Sequence, residues 1–318
     1  MQDTARTAII IAAYNAAATL ERAVRSALAE PETAEVCVVD DASQDSTAAL
    51  ARALAAEDER VRVIVFDRNQ GPSAARNAAL AATSAPWITI LDADDYMLPG
   101  RLAALHAIAS HADFVGDTLI RTPIGQEPVW EQRPLTPAQL TFTAFVLGNL
   151  GASSGPLDLG FMKPLMRRAF LEAHQMSYRA DMRLGEDYEL YARALAHNAR
   201  FLVCGPAGYI SVERPGSLSK EHTELDLQKL RDCDDDLARA FTLSATEIAA
   251  LRRHWRSVDQ RLQWRRLISA VKTRNAAMAF STFHSPNAAF YLLGKLAEQA
   301  WLRGTGRGPH QLSTRPAH

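Results

Sequence analysis

The sequence predicts an α/β protein built on a mostly parallel sheet with helices on both faces. Over the first hundred residues, short wholly apolar runs alternate with amphipathic segments. Runs of this length fit strands rather than buried helices. Strands apolar on both faces need cover on both, which the crossover helices of a parallel sheet provide.

Thr7 to Ala13 is the first such run. Thr19 is placed to cap a helix whose Leu20, Val24, Ala27 and Leu28 share one face. Val36 to Val39 is a second strand, followed by a helix capped by Asp45 or Ser46 with Leu50 and Leu54 inward. Val61 to Phe66 is a third strand. Pro72 to Ala82 reads as a helix with proline in its first turn, and Trp87 to Leu91 as a fourth strand. Beyond Gly100 the pattern loosens. Phe114 to Ile120 reads as an edge strand, 121–137 as loop, 138–150 as helix, and Gly151 to Gly160 as a mobile loop. Phe170 to His174 and Glu186 to His197 read as helices, Phe201 to Cys204 and Tyr209 to Val212 as short strands. From Leu225 the chain reads as helical, broken at Ser285-Pro286-Asn287. This divides it into a catalytic unit, 1–225, and a helical basic extension, 226–318.

The chain has 318 residues, 47% apolar and 22% charged, the balance of an ordinary globular protein and not of a disordered one. Cys37, Cys204 and Cys233 are scattered, without disulfide-framework or metal-ligand spacing. The N-terminus reads without a signal peptide, and no run of about 18 apolar residues offers a membrane span. These features point to the cytoplasm. The net charge of −1 hides an asymmetry: residues 251–318 carry 12 Lys or Arg against two acids, so the rest of the chain is at −11. A basic tail with interleaved Trp255, Trp264 and Trp301 suits peripheral contact with the anionic inner face of the cell membrane, or packing on the acidic front. No nucleic-acid-binding motif accompanies it.

In an open parallel sheet, ligands bind beyond the carboxyl ends of the strands. Here those ends are polar four times over: Ala13-Tyr14-Asn15, Asp40-Asp41-Ala42-Ser43, Asp67-Arg68-Asn69-Gln70-Gly71 and Asp92-Ala93-Asp94-Asp95. Such residues also favour turns, but four in succession on one edge outline a binding site. No G-x-G-x-x-G or P-loop follows the first strand, which argues against a dinucleotide site. Asp92 and Asp94 flank one alanine past an apolar strand, and two carboxylates so placed suit Mg²⁺, which completes its shell with water and phosphate oxygens. The competing reading makes Asp94 and Asp95 caps of a following helix.

V-V-D-D-A-S (38–43), D-R-N-Q-G-P-S-A-A-R-N (67–77), L-D-A-D-D (91–95), Gly185-Glu186-Asp187 and Arg214-Pro215-Gly216-Ser217-Leu218-Ser219 together resemble the family 2 glycosyltransferases over residues 5–225. Within the family the chain is similar to bacterial exopolysaccharide glucosyltransferases of the succinoglycan type. The resemblance implies a GT-A fold, a UDP-sugar donor, a divalent metal (Mg²⁺ or Mn²⁺), inversion at the anomeric carbon, and a saccharide acceptor carried on a lipid. Carried over residue by residue, it places Asp41, Asn69 and the backbone around Ala13 and Tyr14 at the nucleotide base, with Arg76 also on the nucleotide. It places Asp92 at the ribose and Asp94 on the metal. Asp187 becomes the catalytic base, with Glu186 beside it toward the acceptor. Arg214, Ser217 and Ser219 fall in a segment over the diphosphate, and His222 is a candidate further metal ligand. Lys163, Arg167 and Arg168 could hold an acceptor diphosphate or form a solvated helix face. A nucleotidyltransferase would also use paired aspartates, but residues 13–19 carry no Lys or Arg for a phosphate loop. A non-catalytic sugar-nucleotide-binding scaffold would have no need of Asp94 and Asp187.

Overall fold

The computed structural model describes residues 5–131, 133–150, 159–213 and 222–304. The early alternation folds as the apolar runs demand. β1 (Thr7–Ala13), β2 (Thr33–Asp40), β3 (Val61–Val65) and β4 (Trp87–Ile90) pair in parallel. They are linked by α1 (Leu20–Leu28), α2 (Thr47–Glu57) and α3 (Pro72–Ala82). Ile9 and Ile11 face one apolar cluster and Ile10 the other, because successive strand residues point to opposite faces.

The eight-stranded sheet runs β3-β2-β1-β4-β9-β6-β10-β8. The chain steps outward from β1 to β3, then returns to lay β4 on the other side of β1. This reversal makes the β1/β4 border the switch point, where the carboxyl ends of neighbouring strands open a crevice. β6 (Phe114–Asp117) corrects the edge-strand expectation: β9 (Leu165–Arg167) flanks it antiparallel and β10 (Phe201–Cys204) in parallel. Nor is 121–137 wholly loop, since β7 (Ile120–Pro123) pairs with β11 (Tyr209–Glu213) in a second, three-stranded sheet completed by β5 (Tyr96–Met97). The expected helix 138–150 is a short edge strand, β8 (Ala138–Gln139), followed by α5 (Phe142–Leu147).

α4 (Arg101–Ile108) carries Arg101 into the interior, where it meets Asp117 at the end of β6; both side chains are fully buried. Arg101 donates to Asp117 at 2.6 Å and to the Lys163 carbonyl at 2.7 Å, and lies over the Tyr209 ring. A buried guanidinium is tolerable only when its donors are met this way. The contact ties β6, the segment before β9 and β11 into one frame. Neither Asp94 nor Asp95 caps α4. Glu30 does so, accepting from the Gly100 and Leu102 amides at 2.7 Å each.

α6 (Arg168–Ala173) and α7 (Glu186–Ala196) precede a C-terminal run of helices: α8 (Glu224–Ala240), α9 (Ala245–Lys272), α10 (Ala276–Ser281) and α11 (Pro286–Gly304). The division at 225/226 falls in the first turn of α8. Leu227, Leu230 and Leu237 of α8 and Leu251, Val258 and Leu262 of α9 join the same apolar cluster as Tyr188 and Leu190 of α7. Ser244 and Glu247 form a reciprocal capping box that starts α9 afresh. Arg266 of α9 donates to Gln228. Part of the basic extension is therefore packed on the front of the chain.

His106 of α4 bonds Thr7 Oγ1 at 2.8 Å and packs edge-on to Trp87, and burial pushes its pKa down from 6.5 to about 4. The unfolded chain binds the proton in that interval and the folded chain does not, so stability falls as pH drops through it. His106→Gln should flatten this part of the acid limb, read from urea midpoints on both sides of the window. An equal loss in both proteins would show that His106 does not contribute.

Candidate active site

The loops leaving β1 and β2 are latched together before any ligand arrives. The Asp41 amide donates to the Ala13 carbonyl at 2.8 Å, Asn15 N to Ser43 Oγ at 2.9 Å, and Gln44 N to Asn15 Oδ1 at 2.8 Å. Ala42 sits at φ 59°, a left-handed conformation costly for a residue with a Cβ. That backbone turns the Asp41 carboxylate toward the loop after β3, where it accepts the Gln70 and Gly71 amides at 2.6 and 2.8 Å. Asn69 Nδ2 reaches back to the Asp41 carbonyl at 3.2 Å. Asp41 and Asn69 are thus brought together, and the Asp41 side chain shapes the pocket through the backbone of its neighbours. Tyr14 stands half-exposed at the rim.

The centre is a group of five charges drawn from four parts of the chain. Arg76 of α3 donates to Glu186 at 2.6 Å, and lies 3.3 Å from Asp92 and 3.5 Å from Asp187. Lys163 Nζ lies 2.7 Å from Asp187 and 3.2 Å from Asp92. Arg76, Lys163 and Asp187 are buried, while Asp92 is partly open. Burial alone would lower the pKa of Arg76; the Asp187, Glu186 and Asp92 carboxylates outweigh it and hold Arg76 well above its ordinary value. Lys163 is raised in the same way, by Asp187 and Asp92 against desolvation. Asp92 is held below the usual carboxylate range, because Lys163 and Arg76 overcome the penalty of burial. Glu186 is pushed up, chiefly by desolvation. Three carboxylates face two cations, so the cluster keeps one net negative charge.

Asp187 divides its oxygens unequally. Oδ2 takes the lysine, whereas Oδ1 is buried beside Arg76 Nη1 at 3.5 Å, with the Tyr178 hydroxyl acting on the same carboxylate. Glu186 and Asp187 stand in the first turn of α7, where acidic side chains meet the helix dipole favourably.

The neighbouring Asp95 is a residue the sequence reading set aside. Its carboxylate accepts from Tyr209 Oη at 3.0 Å and from Val212 N at 2.8 Å, and Tyr209 Oη in turn accepts the Asp92 amide at 3.1 Å. Burial first, then Asp92, raises Asp95 to about 7. This chain of bonds fixes the Asp92–Asp95 turn against β11. Arg22 holds the Asp94 carbonyl at 3.1 Å.

The described residues contain no group of three His, Cys, Asp or Glu side chains that could enclose a metal by themselves. Asp94, partly exposed at the carboxyl end of β4, fits an octahedral cation that takes one or two carboxylates and fills the remaining positions with phosphate oxygens and water. The charges around the His222 ring are Arg261, Asp226 and Arg265, and burial followed by Arg261 lowers its pKa. Arg167 and Arg168 lie away from the cluster. Arg167 donates to the Ala112 carbonyl and stacks on Trp87, and Arg168 donates to the Ala85 carbonyl, so both close the opposite end of the sheet. Of the basic trio only Lys163 enters the site, and it does so as a counter-ion. Arg214, Ser217 and Ser219 lie outside the described residues.

A mostly parallel sheet whose order reverses at β1/β4, with Asp92, Glu186 and Asp187 gathered beyond that border, is the architecture of a GT-A-type glycosyltransferase. The sequence profile of Glycosyl transferase family 2 matches residues 8–172. The chain is 43% identical to succinoglycan biosynthesis protein ExoU of Rhizobium meliloti over 86% of its length and 81% of that protein's. It is 37% identical to ExoO of the same organism over 86% and 79%. Among solved structures, Staphylococcus aureus TarS 1–349 in complex with UDP-GlcNAc superposes with a TM-score of 0.61 at 18% identity, covering 88% of this chain and 91% of that one, which shows the shared fold. The chain belongs to glycosyltransferase family 2.

Because Arg76 neutralises carboxylates that would otherwise stand together in a dry site, Arg76→Met should cost about 3–5 kcal/mol of unfolding free energy. Arg76→Lys should recover part of it. Denaturant titration reads the loss; a cost below about 1 kcal/mol, as for an exposed pair, would mean the cluster is solvated.

Proposed function

We propose that the chain is an inverting, metal-dependent hexosyltransferase. In this reading it moves glucose from a UDP-sugar to a growing lipid-linked oligosaccharide in exopolysaccharide synthesis. The observation that carries the reading is Asp187 at the start of α7, held by Lys163 against Asp92 and by Arg76 beside Glu186. The succinoglycan role in the names of the two relatives supports the pathway, and the nucleotide sugar held by the structural neighbour supports the donor. A lipid-linked acceptor would be met at the inner face of the membrane, which the chain would reach as a peripheral protein.

Each residue has a chemical task in this scheme. The loop organised by Asp41 and Asn69, with the Ala13–Tyr14 backbone, borders the base, and Asp92, braced by Arg76 and Lys163, receives the ribose. Asp94 would hold the divalent cation, which supplies charge stabilisation for the leaving diphosphate. Arg214, Ser217 and Ser219 would bind the same diphosphate. The Asp187 carboxylate accepts the proton of the acceptor hydroxyl as that oxygen attacks the anomeric carbon. One base and no covalent nucleophile give inversion. Glu186 lies beside it on the acceptor side, its charge matched by Arg76.

Asp187→Asn preserves shape but not basicity, so transfer should fall by about 10²–10⁴-fold with donor affinity little changed. Normal transfer at saturating donor, combined with weakened UDP binding, would move Asp187 into the donor site. Removing the metal with EDTA, or Asp94→Ala, should each raise the barrier by roughly 3 kcal/mol. Transfer that survives both treatments would contradict the metal assignment.

A further inference from the structure

α11 carries apolar side chains on two faces. Ala288, Leu292 and Leu302 are buried, and α9 is the helix it packs on. The opposite face presents Phe290, Leu293, Ala297 and Trp301, spaced i, i+3, i+7 and i+11, in one line along the helix. Phe290 is 84% exposed and Leu293 59%. Phe280 of α10, at 79%, and Val271 near the end of α9 are exposed as well, on two helices that pack together. Cations flank these two residues in sequence: Lys272 ends α9 and Arg274 lies in the turn before α10, both exposed, while Glu298, the single acid in residues 271–304, is paired with Lys295 at 2.7 Å.

Such a surface needs cover, and its chemistry narrows what can provide it. The fourteen residues after Gly304 contain one large aliphatic side chain, Leu312, with Arg307 and Arg315, too little apolar surface to mask the stripe and more positive charge besides. A second copy meeting the same patch across a twofold axis would oppose its cations to themselves. An anionic bilayer satisfies both halves, accepting aromatic and aliphatic side chains at the headgroup boundary and attracting lysine and arginine there. No helix among the described residues is long and apolar enough to cross a membrane, which limits the contact to the surface.

We propose that the exposed faces of α10 and α11 dock the protein onto an anionic phospholipid surface, with Phe280, Phe290 and Leu293 entering the headgroup boundary and Lys272 and Arg274 pairing with lipid phosphates. The inference deepens the reading of a membrane-borne acceptor and rests on it for its biological purpose, but the docking is measurable without any transfer. α9, packed into the core, then serves as the rigid mount between lipid and catalytic sheet.

The test is flotation of the full chain with mixed phosphatidylglycerol–phosphatidylcholine vesicles and with phosphatidylcholine alone. Binding is expected to the mixed vesicles at low salt, weakening with added salt and with neutral lipid. Phe290→Ser with Leu293→Ser should reduce partitioning by at least about tenfold, the scale for losing two buried apolar side chains. Lys272→Glu with Arg274→Glu, which leaves the apolar stripe intact, should also reduce it by about tenfold or more. The proposal is overturned if the chain stays soluble with anionic vesicles, or if both double variants float like the parent. It is also overturned if sedimentation velocity shows a dimer that Phe290→Ser with Leu293→Ser dissociates, which would assign the stripe to a second copy. Sugar-nucleotide hydrolysis by the same preparations without lipid reports separately on the enzymatic reading. Its absence would leave flotation unaffected and would sink that reading alone.

Discussion

Two buried cations hold three carboxylates at the point where the strand order reverses, and the rest of the site depends on that balance. Asp92, Glu186 and Asp187 could not share a desolvated space without Arg76 and Lys163, since each ionised group brings a penalty of several kcal/mol that only a well-placed partner offsets. Removing either cation leaves a carboxylate to protonate or to move. The positions of the proposed base and of the ribose-facing aspartate are therefore one problem with one solution.

The surrounding structure delivers those charges. α3 brings Arg76 from behind the sheet, and α7 brings Glu186 and Asp187 in its first turn. Lys163 comes from a segment whose carbonyl is fixed by Arg101, itself locked to Asp117 in the interior. Tyr209 and Asp95 pin the turn that carries Asp92. The α8–α9 pair closes the apolar cluster behind α7, and Asp234 of α8 accepts from Tyr188 at 2.8 Å, one residue from Asp187. The helical extension thus reaches the site through packing, and its outer helices remain available for a partner.

Much of this was legible in the sequence. The first four strands and three helices follow from apolar periodicity, because β1, β2 and β4 are largely buried on both faces and each crossover helix has one dry side. Asp41, Asn69, Asp92 and Asp94 stood out because polar residues cluster where apolar strands stop. β9 was not legible: three residues, Leu165 to Arg167, are too few to show a period. β6 looked like an edge because the strands beside it, β9 and β10, come from dozens of residues later in the chain. Lys163 looked like one of three equivalent basic residues, since nothing local separates a lysine facing carboxylates from arginines spent on backbone carbonyls. Asp95 looked like a cap because its partner Tyr209 is 114 residues away. The Ser244–Glu247 capping box, by contrast, was written in the sequence, and its spacing could have divided α8 from α9.

The dependence of the site on its charge balance is tested most directly by a double-mutant cycle on unfolding free energy with Lys163→Met, Asp187→Asn and the pair. If the two groups form one desolvated unit, either single change strands the partner and the second adds little. A coupling of at least about 1 kcal/mol is then expected. Losses that add to within roughly 0.3–0.5 kcal/mol would mean that Lys163 and Asp187 sit in solvent-screened contact, and the cluster would not be the constraint on which the site is built.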